Sequence, residues 1–283
     1  MTSSALSTGT GGVASAAAPW IERVARVGFA AKALLYAIVG GLALQAALGH
    51  GGKTTGTRGA LREVIDKPFG KIILLVIAVG LLGYAAWRVV EGVADPERKG
   101  SDAKGIALRG SFIVRGIAHA ILAVQALRVA SSHGGGGEDG AAAKEATSRA
   151  MSLPHGEWVV LLLGAVIAGF GLYQLYRGIQ AKLGKQLDFA GLRREAGPWA
   201  IVVSRFGIAA RGVVFAMIGV LMMRAGRDEN ASESGGIGEA LDALGDGANG
   251  WIILAVAAAG LVAYGAFEAI QARYRHIDAN AAA

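Results

Sequence analysis

Three cations, Lys32, Arg115 and Arg211, are set inside apolar runs such as 26-RVGFAAKALLYAIVGG-41. A charge among hydrocarbon side chains is costly unless it pairs, snorkels to an interface or meets a ligand of opposite sign. Arg88, Glu91, Arg177 and Glu268 lie in similar runs. The chemistry this set offers is electrostatic: cations beside carboxylates make ion pairs, and cations on their own hold an anion. Other chemistry is poorly served. The chain has no cysteine, which excludes disulfides, thiolate metal sites and a cysteine nucleophile. No histidine and carboxylate cluster has metal-ligand spacing, and nothing supplies a nucleophile, base and oxyanion donors together. His119 has no second histidine within a span to complete a bis-imidazole haem site, so it reads as a packed or hydrogen-bonded side chain. The glycine run 134–137 lacks the lysine and the strand-to-helix setting of a phosphate loop. The expectation is no catalytic residue, no metal and no cofactor.

The elements that must position these charges are membrane spans. Of 283 residues, 53% are hydrophobic and only 17% charged, with a mean hydropathy of +0.46, too apolar for an ordinary soluble domain. Six apolar segments, near 27–48, 72–90, 110–127, 158–176, 200–223 and 251–270, each approach the roughly 20 residues a helix needs to cross a bilayer. Residues 1–19 are small and polar without a basic leader region, and read as a flexible tail. The glycine-rich stretch 131–146 reads as an exposed loop.

The segments repeat. When 26-RVGFAAKALLYAIVG-40 is laid over 109-RGSFIVRGIAHAILA-123 and 205-RFGIAARGVVFAMIG-219, Arg26, Arg109 and Arg205 align without a gap. So do the small residues Gly28, Ser111 and Gly207, and the cations Lys32, Arg115 and Arg211. The even segments 80-GLLGYAAWRVVEG-92, 169-GFGLYQLYRGIQA-181 and 260-GLVAYGAFEAIQA-272 share a glycine, a tyrosine (Tyr84, Tyr173, Tyr264) and a second aromatic (Trp87, Tyr176, Phe267). The chain is three tandem copies of a two-helix hairpin, residues 20–98, 99–190 and 191–276, with tails at 1–19 and 277–283. All copies start and end on one side, so they are parallel repeats able to form an all-α, pseudo-threefold bundle.

Short apolar periodicities in 59–71 and 238–251 predict surface helices joining the two arms of a hairpin. The positive-inside rule orients the chain. Fifteen lysines and arginines, Arg88 and Arg177 among them, lie toward the side of both termini and ten toward the other, leaving Lys32, Arg115 and Arg211 of the 28 in total. Both termini are therefore expected in the cytoplasm. The basic loops are short and dispersed, which argues for membrane-surface contact and against nucleic acid.

The RVGF-type opening, the internal Lys or Arg, the G-x3-Y-x2-aromatic return helix and the three tandem copies resemble a bacterial membrane family catalogued as a domain of unknown function (DUF 1206). The resemblance covers residues 22 to about 275. It implies a six-span protein of the bacterial plasma membrane, and it implies no activity. The second copy departs most, with Ser111 for glycine, His119 where the others have Tyr36 and Phe215, and the long glycine loop.

Two arrangements of the charges follow. In one, Lys32 pairs with Glu91 and Arg211 with Glu268 inside their own hairpins, while Arg115 snorkels or binds a carbonyl or lipid headgroup. In the other, the three cations converge as a basic ring on the pseudo-threefold axis. The small residues Ala33, Gly116 and Gly212, followed by Ala37, Ala120 and Ala216, give each odd helix a small-xxx-small face for close helix packing. The three tyrosines are read as an interfacial aromatic belt as readily as a ligand site. The chain is expected to be a non-enzymatic structural or interaction protein, with a small transporter or channel for an anionic solute or lipid as the alternative. Its expected partners are the bilayer, anionic lipid headgroups and a second membrane protein.

Overall fold

The computed structural model describes residues 8–96, 98–131, 140–180 and 189–275. The C-terminal tail, 277–283, and the core of the glycine loop, 132–139, lie outside them. Six long helices carry apolar stretches of membrane-spanning length. They are α1 (Thr8–Ala47, whose span begins at Glu22), α3 (Gly70–Ala94), α4 (Ala103–Ser131), α6 (Gly156–Ile179), α8 (Trp199–Arg227) and α10 (Gly250–Tyr274). Helix α1 starts at Thr8, inside the stretch read from sequence as a tail. Each helix closes its own backbone hydrogen bonds, the condition for crossing hydrocarbon.

Short helices α2 (Thr57–Ile65), α5 (Ala141–Met151) and α9 (Ile237–Gly245) join the arms of the three hairpins, and α7 (Phe189–Ala196) lies at the boundary of the second and third copies. The glycine-rich loop is shorter than its composition suggests, because α5 takes up residues from Ala141 onward. Helices α2 and α9 form where periodicity predicts, but Ala60, Leu61, Ala240 and Leu241 are buried against the spanning helices. They cap the end of the bundle remote from the termini instead of floating on lipid. The glycines that open the return helices have one cause in all three copies. A Cβ on Gly70, Gly156 or Gly250 would strike the carbonyl of Val64, Ala150 or Gly245 at the end of the preceding short helix.

Two kinds of interface build the bundle. In the first, each odd helix packs on the even helix of the preceding copy in cyclic order: α1 on α10, α4 on α3, α8 on α6. The small-xxx-small faces make this contact. A Cβ on Gly265 would come 2.8 Å from the Ala33 carbonyl oxygen, one on Gly116 would come 3.0 Å from that of Ala85, and one on Gly212 would come 2.6 Å from the Leu175 nitrogen. The repeated arginines secure the same three contacts, each donating to carbonyls in the last turn of the preceding even helix. Arg26 reaches Ala272 and Arg273, both at 2.7 Å; Arg109 reaches Gly92 and Val93, both at 2.9 Å; Arg205 reaches Gly178 at 3.1 Å and Ile179 at 2.6 Å. Those carbonyls have no partner further along their helix and carry the negative end of its dipole.

The second interface closes a hairpin on itself, and here the symmetry breaks. Helix α1 packs on α3 and α8 on α10, whereas α4 and α6 have no comparable backbone packing and meet through Arg115 lying over Phe170. In the closed hairpins a Cβ on Gly28 would fall 2.6 Å from the Tyr84 nitrogen, and one on Gly207 would strike the Tyr264 nitrogen. Ser111 occupies this place in the second copy, and its side chain bars the same approach. The opposite helix agrees: Gly80 and Gly260 meet Ala31 and Ala210 across their hairpins, while Gly169 has no atom within 4 Å of a Cβ position. Near the termini, Glu195 of α7 accepts from the Tyr274 hydroxyl at 2.7 Å and from Arg273 at 2.9 Å, and these donors hold its carboxyl below the usual glutamate range.

Candidate functional site

The charges set in the spanning helices form a connected network that runs from the end of the bundle holding the termini, at Arg275, to the middle of the helices, at Lys32, Arg115 and Arg211. Lys32 pairs with Glu268 at 2.6 Å, both buried, at 4% and 0% exposure. Its ammonium also donates to the Tyr84 hydroxyl at 3.2 Å and lies 4.3 Å from the centre of that ring. Arg88 donates to the same hydroxyl at 2.7 Å and pairs with Glu91. Glu91 takes a second cation, Arg275, at 2.8 Å. Arg275 further donates to Gln271 at 3.0 Å, and Gln271 donates to Glu268 at 3.2 Å, which closes the circuit.

Pairing within hairpins is therefore overturned for Lys32 and Glu91. Lys32 of the first copy takes Glu268 of the third, and Glu91 of the first is shared between Arg88 of its own helix and Arg275 of the third copy. The packing explains the exchange. Each odd helix lies against the even helix of the preceding copy, so the side chain one turn beyond Tyr264 faces Lys32. The equivalent position is Arg88 in the first copy and Arg177 in the second. Only the contact between the third and first copies thus brings opposite charges together.

Arg211 does not pair with Glu268. Its Nε donates to the Tyr36 hydroxyl at 3.1 Å, and its guanidinium lies 4.2 Å from the Phe215 ring centre and 4.8 Å from that of Tyr264. Arg115 has a 3.4 Å contact to the Ser111 hydroxyl and lies over Phe112 at 5.7 Å. Both guanidinium groups also approach one ring, Phe170 of α6, at 5.6 Å from Arg115 and 5.9 Å from Arg211. Among the described residues neither has a carboxylate within ion-pair distance, and both are half-buried, unlike the sealed Lys32, Arg88 and Arg275. Aromatic faces attract a guanidinium but accept few of its five N–H groups. Arg177 donates to the buried Gln174 at 3.3 Å.

His119 is hydrogen-bonded as expected: its Nδ1 donates to the Arg115 carbonyl at 2.7 Å, and its ring tilts against Tyr84. The three tyrosines do not form one belt. Tyr84 and Tyr264 are buried in the network, at 2% and 6% exposure, while Tyr173 in the open hairpin is 57% exposed. The sequence reading missed Tyr36, Phe170, Gln271 and Arg275. A signal existed for two of these, since Glu268, Gln271 and Arg275 fall at i, i+3 and i+7 on one helical face. Among the described residues no group of three or more His, Asp or Glu side chains is placed to hold a metal ion.

Six spanning helices, three parallel copies and interfaces that recur from copy to copy define a multi-pass membrane protein built by triplication of a helical hairpin. The chain belongs to the family of the Domain of Unknown Function DUF1206, whose model matches three times, at residues 27–95, 110–181 and 206–275. It is also similar to the uncharacterized protein YxxB of Bacillus subtilis (strain 168), 28% identical over 260 residues, which cover 92% of this chain and 93% of the relative. No solved structure matches.

Proposed function

We propose that this is a non-enzymatic protein of the bacterial plasma membrane, with both termini in the cytoplasm, that holds an anionic group between Arg115 and Arg211. One observation carries the reading. The connected cluster contains five cations, Lys32, Arg88, Arg115, Arg211 and Arg275, and two carboxylates, Glu91 and Glu268, and the two arginines left without a carboxylate are the two that are not sealed. Arginine's planar fork suits phosphate and carboxylate oxygens. The ion pair of Lys32 removes it from the expected basic ring, so binding by two arginines is better supported than conduction along an axis.

Inorganic phosphate should stabilise the detergent-solubilised protein against heat, by about 2.7 kcal/mol at a hundred times its Kd. The Arg115→Gln/Arg211→Gln variant should lose this stabilisation while Arg115→Lys/Arg211→Lys retains part of it. Thermal unfolding at constant ionic strength checks this; a phosphate response unaffected by the glutamines would contradict it. The orientation rests on the excess of lysine and arginine beside the termini. The absence of cysteine makes it simple to test. A cysteine at Asn230 should react with an impermeant maleimide on intact cells, and one at Asp102 only after lysis; the reverse pattern would invert the topology.

A further inference from the structure

We infer that the anion is the phosphate of one anionic phospholipid, taken in sideways from the bilayer through the open second hairpin between α4 and α6. This rests on the reading of Arg115 and Arg211 as an anion site and adds the identity of the ligand and its route. Three independent observations lead to it.

The first is the opening itself. The first and third hairpins are closed by glycine against tyrosine backbone, and the second is not, because Ser111 stands where Gly28 and Gly207 stand. Only 22% of the apolar stretch of α4 or α6 is buried inside the protein, against 50% for α1, α3 and α10. The exposed residues bordering the opening, Ile117, Ile121, Leu162 and Val166 among them, are apolar, the character of a face turned to lipid. The second is where the charges sit. Arg115 belongs to α4 and Phe170 to α6, the two borders of the opening, and Arg211 approaches the same Phe170 ring from α8. The two guanidinium groups with N–H donors to spare are thus beside the one side that packing leaves open.

The third is the direction of the polarity. On α4, the exposed Ile117, Ile121 and Val124 follow Arg115 in the direction away from the termini. On α6, the exposed Leu162, Leu163 and Val166 precede Phe170 from the same direction. An occupant lying along both helices meets cations at its end nearer the termini and apolar side chains beyond them, the order of phosphate and acyl chain in a phospholipid whose headgroup points to that side. A small soluble anion would use the arginines and leave the apolar borders without a role. Net negative charge on the lipid answers the surplus of cations; a zwitterionic headgroup brings its own ammonium and answers it less well.

The test is native mass spectrometry of the full chain released from detergent after titration with dioleoyl phosphatidylglycerol or dioleoyl phosphatidylcholine, with size exclusion and circular dichroism to confirm folding. The wild type should retain one phosphatidylglycerol at collision energies that strip phosphatidylcholine. Arg115→Gln/Arg211→Gln should weaken that retention by at least about tenfold, since the loss of even one charge-assisted contact is worth that much, and Arg115→Lys/Arg211→Lys should preserve most of it. Gly169→Trp tests the route, since the empty space at Gly169 admits a side chain that fills the opening. It should abolish lipid retention and leave the inorganic phosphate response intact. Equal retention of the two lipids, retention unchanged by the glutamines, or retention unchanged by Gly169→Trp would each overturn the inference. A phosphate response that needs both arginines, without lipid retention, would refute the lipid and leave the anion site standing. Loss of both responses in the wild type would refute the two together.

Discussion

Glu268→Gln is expected to destabilise the protein by about 3–5 kcal/mol, the cost of leaving a buried charge without its partner. Glu268 has no exposed surface, and Lys32 beside it keeps only the Tyr84 hydroxyl and ring once the carboxylate is gone. Neither charge can reach an aqueous interface from a sealed position, so snorkelling does not relieve the loss. Lys32→Met should cost a similar amount by stranding the carboxylate. The double variant Lys32→Met/Glu268→Met should recover most of the loss, because apolar side chains of like volume replace a buried pair at little net cost. Thermal or denaturant unfolding of all four proteins in one detergent gives the coupling energy. Single variants within about 0.5 kcal/mol of wild type, the range of ordinary surface substitutions, would show that the pair does not hold the first and third copies together.

The hairpin glycines carry the second large effect. Gly28→Ala and Gly207→Ala should each cost about 1–3 kcal/mol or more, since the added methyl meets the backbone of Tyr84 or Tyr264, and backbone cannot rotate away. Gly28→Ala should also reach the charge network, because Tyr84 accepts from both Lys32 and Arg88. The second copy provides the control: Gly169→Ala, with open space around it, should fall within about 0.5 kcal/mol of wild type. The comparison is made by melting temperature in micelles. A Gly28→Ala protein as stable as Gly169→Ala would mean that the closed hairpins do not depend on this contact.

How much of this was written in the chain follows from the range of each interaction. Span length, apolar composition and the register of three copies are local properties, so Arg26, Arg109 and Arg205 or Gly28, Ser111 and Gly207 align by inspection. The small-xxx-small faces were legible for the same reason, as periodicity on a single helix. The helices α2 and α9 were visible as short amphipathic runs, but what covers their apolar faces was not, since that depends on where the spanning helices end. Ser111 was visible as a departure, yet its meaning required the neighbour it excludes.

The sequence by itself determined that Lys32, Arg115 and Arg211 are set in apolar runs and equivalent by repetition, with Arg88, Glu91, Arg177 and Glu268 in or at the edge of the returning runs. It did not determine who pairs with whom. Proximity in the chain favours partners within a hairpin, whereas the tightest packing joins each odd helix to the preceding copy, and that choice belongs to the tertiary structure. It gives Lys32 a carboxylate, Glu91 two guanidinium groups, and Arg115 and Arg211 aromatic rings. The physical reason is that small-residue faces bring backbones closer than any charge pattern on one helix can specify, and the ion pairs form across whichever faces are brought together.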